Sequence, residues 1–480
     1  MAFIDGTVVN VALPALQQSL NATSVDVQWV VEAYALFLAA LLLAGGSLGD
    51  HFGRRLIYTI GVAVFALASI CCAISSDITQ LILARAAQGV GGALLVPGSL
   101  AIISASFSEK DRGRAIGTWS GFTAMTAAIG PVMGGWLIDQ VSWRAVFLVN
   151  VPIALAVIGL VLRYVPESRD PDARKLDFTG AFLATASLGM IVFGLIESSR
   201  LGFTHSAVYG TLVGGIISGG LFVYVESRKT EPMLPFSLFR SRNFAGANLL
   251  TLLLYTALAG SLYFYPLNLI QVQGYTATEA GAALLPFILI MFFLSRWSGG
   301  LIKRYGPRLP LVIGPTIAAL GFALFTRPGV GGSYWTTFFP AVVVLGLGMA
   351  TSVAPLTTTV MNSVSESRAG LASGINNAVS RTAGLLSVAV LSIVLLHTFN
   401  SQLDRQISSI SITPEAKSLL DIQRAKLAGA QMPGNISIET QLALKRAVAE
   451  SFVFAFRRVM LIAAALALLS ALSAWLLITR

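Results

Sequence analysis

Charge is what this sequence has least of. Only 11% of its 480 residues are Asp, Glu, Lys or Arg while 55% are hydrophobic, against roughly 25% charged residues in a soluble domain. That much apolar surface exceeds what one aqueous core can hide, so the solvent is lipid. Cysteine and histidine are nearly missing too. Cys71 and Cys72 are neighbours inside an apolar run, where a helix holds adjacent side chains in poor geometry for a disulfide. His51, His205 and His397 are far apart and lack ligand spacing, which argues against a structural metal. No Gly-x-x-x-x-Gly-Lys-Ser/Thr loop is present, which argues against ATP-driven work by this chain. The net charge of +10 is spread over short loops and forms no basic domain, so it reports topology and nucleic acid is not an expected partner.

What the sequence does have is long apolar runs. A helix needs about 20 apolar residues to cross a bilayer, whereas β-barrel strands would be about 10 residues long and alternating; runs such as 56–74 and 459–478 are continuously apolar. An all-α membrane protein is expected, with about fourteen spans near 1–18, 27–49, 56–75, 80–106, 114–138, 144–164, 178–197, 207–226, 244–270, 280–302, 309–326, 334–361, 369–397 and 452–479. Alternate short loops hold about 17 basic residues against about 3 on the other side, the richer set including Arg54, Arg55, Lys110, Arg112, Arg114, Arg163, Arg174, Lys175, Lys303, Arg304 and Arg368. Both ends are then expected in the cytoplasm, with Arg480 agreeing, and 398–451 outside as an amphipathic helical loop. The first run from Met1 to Pro14 reaches only about 21 Å and no basic leader precedes it, so a signal peptide is not expected and Met1 reads as a late start within a longer first helix.

A repeat organises the chain. Gly46-Ser-Leu-Gly-Asp-His-Phe-Gly-Arg-Arg55 follows the second run and Gly299-Gly-Leu-Ile-Lys-Arg-Tyr-Gly-Pro-Arg308 the tenth, the pattern of two related bundles. The expected units are a six-helix bundle over 1–165, two linker helices and loops over 166–243, and a second six-helix bundle over 244–480. In the first copy the glycines Gly46 and Gly53 allow close approach and a tight turn, while Asp50 stands beside Arg54 and Arg55. These residues read as a latch or, more plainly, as an orientation signal; Lys303 replaces Asp50 in the second copy. Around Pro131, which removes a backbone hydrogen bond, Gly121, Gly130, Gly134 and Gly135 strip side chains from one helix, suiting either a hinge or close packing. Charges inside a bilayer cost about 2.5–3.5 kcal/mol or more at its centre and are functional candidates by default: Asp5, Glu32, Arg85 and Arg381. A carboxylate in a low-dielectric cavity can bind a proton near neutral pH, making Asp5 and Glu32 the natural proton carriers. The bland alternatives are a Glu32 that snorkels to the interface and an Asp5 shifted towards the cytoplasmic surface.

Four segments together resemble the 14-spanner drug:proton antiporter family of the major facilitator superfamily: Asp5-Gly-Thr-Val-Val-Asn-Val-Ala-Leu-Pro14, Gly46 to Arg55, Leu83-Ala-Arg-Ala-Ala-Gln-Gly-Val-Gly-Gly-Ala93, and Gly121 to Gly135 with Gly130-Pro131. The resemblance implies a multidrug exporter with two six-helix bundles and two extra central helices, working by alternating access in a bacterial cytoplasmic membrane. No cofactor is implied beyond the proton gradient. The expected partners are a small molecule, protons and lipid, with a periplasmic adaptor left open. It also implies that Arg85 and Gln88 lie on the proton-transfer path, and that Glu32 resembles the acid of members handling cationic drugs. Asn376, Asn377 and Arg381 resemble a polar stretch of the thirteenth helix that either contacts substrate or pins the helix. An apolar, aromatic cavity with a few polar groups draws its expected lining from Asn10, Trp119, Phe122, Met125, Tyr255, Tyr263, Tyr265, Asn268 and Gln271 as well, each of which is equally readable as lipid-facing or interfacial. The rivals are a proton-coupled transporter of one metabolite and, remotely, a membrane enzyme or sensor on such a scaffold.

Overall fold

The computed structural model describes residues 1–107, 109–169, 177–229, 232–364, 369–408, 410, 413–431 and 436–479, and within these all side chains but those at 3, 43, 104, 109–114, 116–117, 120–121, 123–125, 127–128, 295–296, 303, 369–370 and 414–416. The expectations placed on the side chains of Lys110, Arg112, Arg114, Met125 and Lys303, on the surroundings of Gly121, and on Arg174, Lys175, Arg368 and Arg480 lie outside the described residues. The described residues form helices and no strand. The first half contains α1 (Ala2–Ser19), α2 (Ser24–Phe52), α3 (Arg54–Ile74), α4 (Ile78–Ser106), α5 (Glu109–Gln140), α6 (Ala145–Leu148), α7 (Asn150–Tyr164), α8 (Phe178–Leu201) and α9 (Ser206–Arg228). The second contains α10 (Arg242–Leu267), α11 (Ala277–Ala282), α12 (Leu285–Gly299), α13 (Leu301–Tyr305), α14 (Arg308–Leu324), α15 (Tyr334–Thr337), α16 (Phe339–Asn362), α17 (Ala369–Ile407), α18 (Pro414–Gln423) and α19 (Ile438–Leu477). Among the described residues eleven helical stretches are long and apolar enough to cross a membrane.

Local chemistry sets the helix starts. Thr23 and Asp26 form a capping box at α2 and Asp77 caps α4, each meeting amides that a helix leaves unpaired at its start. Small residues then set the packing. A Cβ on Gly45 would stand 2.1 Å from the Ala93 carbonyl oxygen, and one on Gly91 2.6 Å from the Phe65 nitrogen; without those carbons α2, α3 and α4 touch backbone to backbone, the usual substitute for hydrophobic force in lipid. Gly314 and Gly348 do the same between α14 and α16. The outside is apolar: Phe182 is 71% exposed, Ile216 69% and Leu155 68%, a surface water would not tolerate. The α8–α9 hairpin packs through α8 on both α2 and α17, beside the seam where the two halves of the chain meet.

The repeat has a structural counterpart. Gly53, between α2 and α3, and Gly306, between α13 and α14, occupy the same motif position, and both have positive φ (124° and 71°), a conformation that favours glycine. Two boundaries differ from the sequence expectation. The 398–451 segment is partly a continuation of its flanking helices, because Phe399, Leu403 and Ile407 extend the buried face of α17, and Leu444, Ala447, Val448 and Ser451 that of α19, beyond the point where polar residues end the apolar run. The run over 280–302 is broken at Ala283–Leu284, where Pro286 opens α12, a position proline favours.

The remainder of that segment crosses one end of the molecule. Residues Arg424–Gly429 form a tight helical turn against α1, α2 and α17; we call it the strap and this end the strap end. Arg424 anchors it to Asp404 of α17 (2.5 Å) and to Asp421 (2.7 Å). At its centre Leu427 is buried with φ 55°, a conformation a side chain of this kind adopts only when its surroundings enforce it.

Candidate functional site

α4 presents Arg85 and Gln88, three residues apart and so on one face, to the face of α1 that carries Asp5. Arg85 pairs with Asp5. The same guanidinium donates to Gln88 Oε1 (2.6 Å) and to the Val30 carbonyl of α2 (3.0 Å), and it lies 4.4 Å from the centre of the Tyr34 ring. Gln88 Nε2 donates to Asp5 Oδ1 (2.9 Å) and to Ser69 Oγ of α3 (2.8 Å). Asn150 of α7 adds another donor to Asp5 Oδ1 (3.3 Å). All of these polar side chains are buried. A charge pair at such depth is tolerable only when further groups satisfy its remaining atoms, and α2, α4 and α7 supply them here, with Ser69 of α3 holding Gln88.

Glu32 lies eight residues into α2, roughly 12 Å along the axis. It is 1% exposed, and neither carboxylate oxygen has a hydrogen-bond partner among the described residues. It does not reach the surface, so the snorkelling alternative is not what the structure shows. α2 packs on α17 of the second half, and Gln28, one turn from Glu32 on the same face, shares a cavity lining with Tyr263 of α10, which puts this face of α2 at the seam between the halves. Arg381 of α17 is half-buried, with no hydrogen bond or ion pair among the described residues. Asn376 ties α17 to α10 by donating to Asn248 Oδ1 (3.1 Å) and Thr251 Oγ1 (2.6 Å); Asn377 is exposed.

Residues 1–388 match the Major Facilitator Superfamily. The chain belongs to that superfamily. It is 35% identical over 426 residues to the multidrug resistance protein Stp of Mycobacterium tuberculosis, covering 88% of this chain and 78% of Stp. To the tetracenomycin C resistance and export protein of Streptomyces glaucescens it is 34% identical over 397 residues, 82% of this chain and 73% of that one. A crystal structure of a bacterial homologue of the human lysosomal transporter Spinster, inward-facing and unoccupied, superposes with a TM-score of 0.66 over 98% of this chain and 94% of that one, at 17% identity, and so shows the fold. The chain is therefore a multi-pass, all-helical transporter of a superfamily that acts on small molecules, with drug-resistance exporters as relatives.

The superfamily loop motif is a local structure here. Arg54 Nε donates to Asp50 Oδ1 (2.8 Å), one turn away. Arg55 lies 3.9 Å from Glu167, whose oxygens accept the Arg55 and Leu56 amides (3.0 and 3.2 Å). Asp50 and Arg54 are not joined to the second half among the described residues. Gly46 packs on Pro97, and a Cβ on Gly53 would meet the Glu167 carboxylate at 2.8 Å. In α5, Cβ atoms on Gly130 and Gly134 would collide with Thr7 (2.5 Å) and Val8 (2.7 Å) of α1, and one on Gly135 with the Ala277 carbonyl (2.3 Å). In return, a Cβ on Gly281 of α11 would stand 2.2 Å from the Pro131 carbonyl oxygen. The two halves thus press together near the strap end through α5 and α11. Asp139 completes this contact by accepting from the Ala277 amide (3.2 Å), the Thr278 amide (2.9 Å) and the Thr278 hydroxyl (2.5 Å).

The expected substrate lining is dispersed. Asn10 is half-buried with Oδ1 unpartnered, Trp119 is half-buried and Phe122 is 61% exposed. Tyr263 is buried, and Asn268, at the end of α10, accepts from Gln273 (3.1 Å). Asn150, Ser69 and Asp139 are participants that the sequence reading missed. Asn150 was legible as a lone amide in an apolar run, whereas Asp139 sits at a run's edge, where an acid carries no signal.

Proposed function

We propose that this chain exports small lipophilic or cationic compounds in exchange for protons, by alternating access. The observation that carries the reading is Glu32, a buried carboxylate without a hydrogen-bond partner among the described residues, on the face of α2 turned to the second half. An unpaired buried charge is costly, and either a proton or a cationic substrate removes that cost, so the two compete for one group. Asp5, Arg85 and Gln88 act beside it as a switch in which protonation of Asp5 would free Arg85. The close packing of Gly130, Pro131, Gly134 and Gly135 serves as the hinge, and Gly46, Asp50, Gly53, Arg54 and Arg55 as the latch. Asn10, Trp119, Phe122, Tyr263, Asn268, Asn376, Asn377 and Arg381 contribute to substrate binding.

Helices Ala2–Ser19, Glu109–Gln140 and Arg308–Leu324 join the eleven apolar stretches to make fourteen spans. The excess of Lys and Arg in the loops away from the strap supports a topology with both termini in the cytoplasm and the strap outside. The family supports the reading in kind, since the printed names of the relatives describe drug resistance and export. The test is substrate-dependent proton movement in inverted vesicles, comparing wild type with Asp5→Asn and Glu32→Gln across cationic and neutral dyes. Loss of proton movement in either variant, with cationic dyes hit hardest by Glu32→Gln, is expected. Transport that persists unchanged without a proton gradient points to a facilitator and sinks the proposal.

A further inference from the structure

Ser24, Gln28 and Glu32 recur every four residues on α2 and so share one face, spanning roughly 12 Å from the strap end inward. Ser24 Oγ, Gln28 Nε2 and both Glu32 carboxylate oxygens are shielded from solvent and have no hydrogen-bond partner among the described residues, and Gln28 and Glu32 are 2% and 1% exposed. A cavity of about 20 Å³ lies against this face, lined among others by Ser24, Gln28, Gln17, Gln271 and Tyr263. The unpartnered Oε1 of Gln271 belongs to the same lining. A single water molecule needs about 10–15 Å³ of such space and two to four polar partners, so the cavity suits water and is far too small for a drug-sized molecule. Gln28 and Tyr263 line it, and Glu32, one turn of α2 further inward on the face of Gln28, lies beyond its inner end. Its outer end lies under the strap, where Lys426 and Leu427 close the lining, Gln17 Nε2 donates to the Lys426 carbonyl (3.4 Å), and Gln271 Nε2 donates to Gln17 Oε1 (2.8 Å).

We propose that this polar ladder is a proton inlet, separate from the substrate route, which delivers protons from the strap side to Glu32 through water held by Ser24 and Gln28. The inference rests on the proton-coupled reading above. A proton arriving at the mouth is passed between water and the Ser24 hydroxyl, each accepting one proton and releasing another. The Gln28, Gln17 and Gln271 amides hold the water in line, and the Glu32 carboxylate ends as the neutral acid. Charge and atoms balance without a co-reactant. Apart from Tyr263 the charged groups on the elements around α2 are engaged elsewhere: Asp5 of α1 with Arg85 of α4, Glu197 of α8 with Trp29 and Arg200, Cys72 of α3 with Gln88, and Lys426 of the strap with Asn21. Arg381 of α17, half-buried, is the exception, with no hydrogen bond or ion pair among the described residues.

The experiment uses the full chain in proteoliposomes with the cationic dye ethidium, measuring efflux driven by a pH gradient and, without a gradient, dye-for-dye counterflow, which needs no net proton. In Gln28→Leu we expect gradient-driven efflux to fall at least tenfold while counterflow stays within about twofold, and Gln28→Asn, which still holds water, to recover most of the driven rate. Should Gln28→Leu fail in both assays, Ser24→Ala decides: a driven rate lowered severalfold with counterflow intact supports the inlet. Wild-type driven rates in Gln28→Leu or in Ser24→Ala overturn it. If efflux by the wild type ignores the gradient, the proton-coupled reading itself fails and the inlet with it, an outcome distinct from a gradient-sensitive wild type whose variants are unaffected.

Discussion

Asp5 and Glu32 are both buried acids in the first half of the chain, yet their surroundings are opposite. Asp5 is saturated: an arginine and two amides converge on it, and every group in that network comes from residues within the first half. Glu32 has no hydrogen-bond partner among the described residues, and the face of α2 that carries it is turned to Tyr263 and Phe264 of the second half. In the proposed alternating access, a network confined to one half would be unaffected as the halves rock, whereas a bare carboxylate on the seam would change its environment with every step. Two acids that composition alone treats alike thus differ in what surrounds them, one held by partners within its own half and the other facing the opposite half.

The largest effect that should separate them is on stability. Removing one partner of a buried ion pair leaves the other uncompensated, at about 3–5 kcal/mol, so Asp5→Ala and Arg85→Ala are expected to lower the thermal unfolding temperature of the purified protein sharply. Glu32→Gln removes no partner and is expected to leave it unchanged or slightly higher. A Glu32→Gln protein as unstable as Asp5→Ala would erase the contrast. Next in size is the packing between the halves. Gly135→Ala puts a carbon 2.3 Å from the Ala277 carbonyl oxygen, and overpacking of this kind costs about 1–3 kcal/mol, here against the closed strap end alone. Spin labels at Gln140 and Tyr275, in a protein without Cys71 and Cys72, should report a longer mean separation in Gly135→Ala than in the parent; an unchanged distance would mean that this end yields elsewhere.

How far the site could be read in advance follows from the same contrast. Asp5, Glu32 and Arg85 were legible because a charge in an apolar run is expensive, Gln88 only through the resemblance of its motif, and the repeat because Gly53 and Gly306 hold the same backbone role. Which acid is paired was not legible, since pairing depends on how α1, α4 and α7 cross, and no period in the sequence encodes a crossing between distant helices. The strap was hidden for another reason. Its polar residues end the apolar runs, so helices that continue through Ile407 and begin at Ile438 read as loop, and the turn that closes over Gln17 and Gln271 has no pattern of its own.

The smallest effect concerns a third acid, which combines features of the first two. Asp139 is saturated like Asp5, but its three donors lie on Ala277 and Thr278 across the seam, so they are available only while the strap end is closed. Asp139→Asn keeps an acceptor and loses the charge that favours a helix start, worth about 1 kcal/mol. In a folding measurement so small a term is hard to see, because it changes one contact among many. In the balance between open and closed strap ends it acts undiluted, and about 1 kcal/mol corresponds to roughly a fivefold change in their ratio. Asp139→Asn is therefore expected to leave the unfolding temperature within a degree or two while shifting the Gln140–Tyr275 label distances towards the open population. A shift of comparable size from Asp5→Asn, whose partners all stay within one half, would show that the first network is not confined as its geometry indicates.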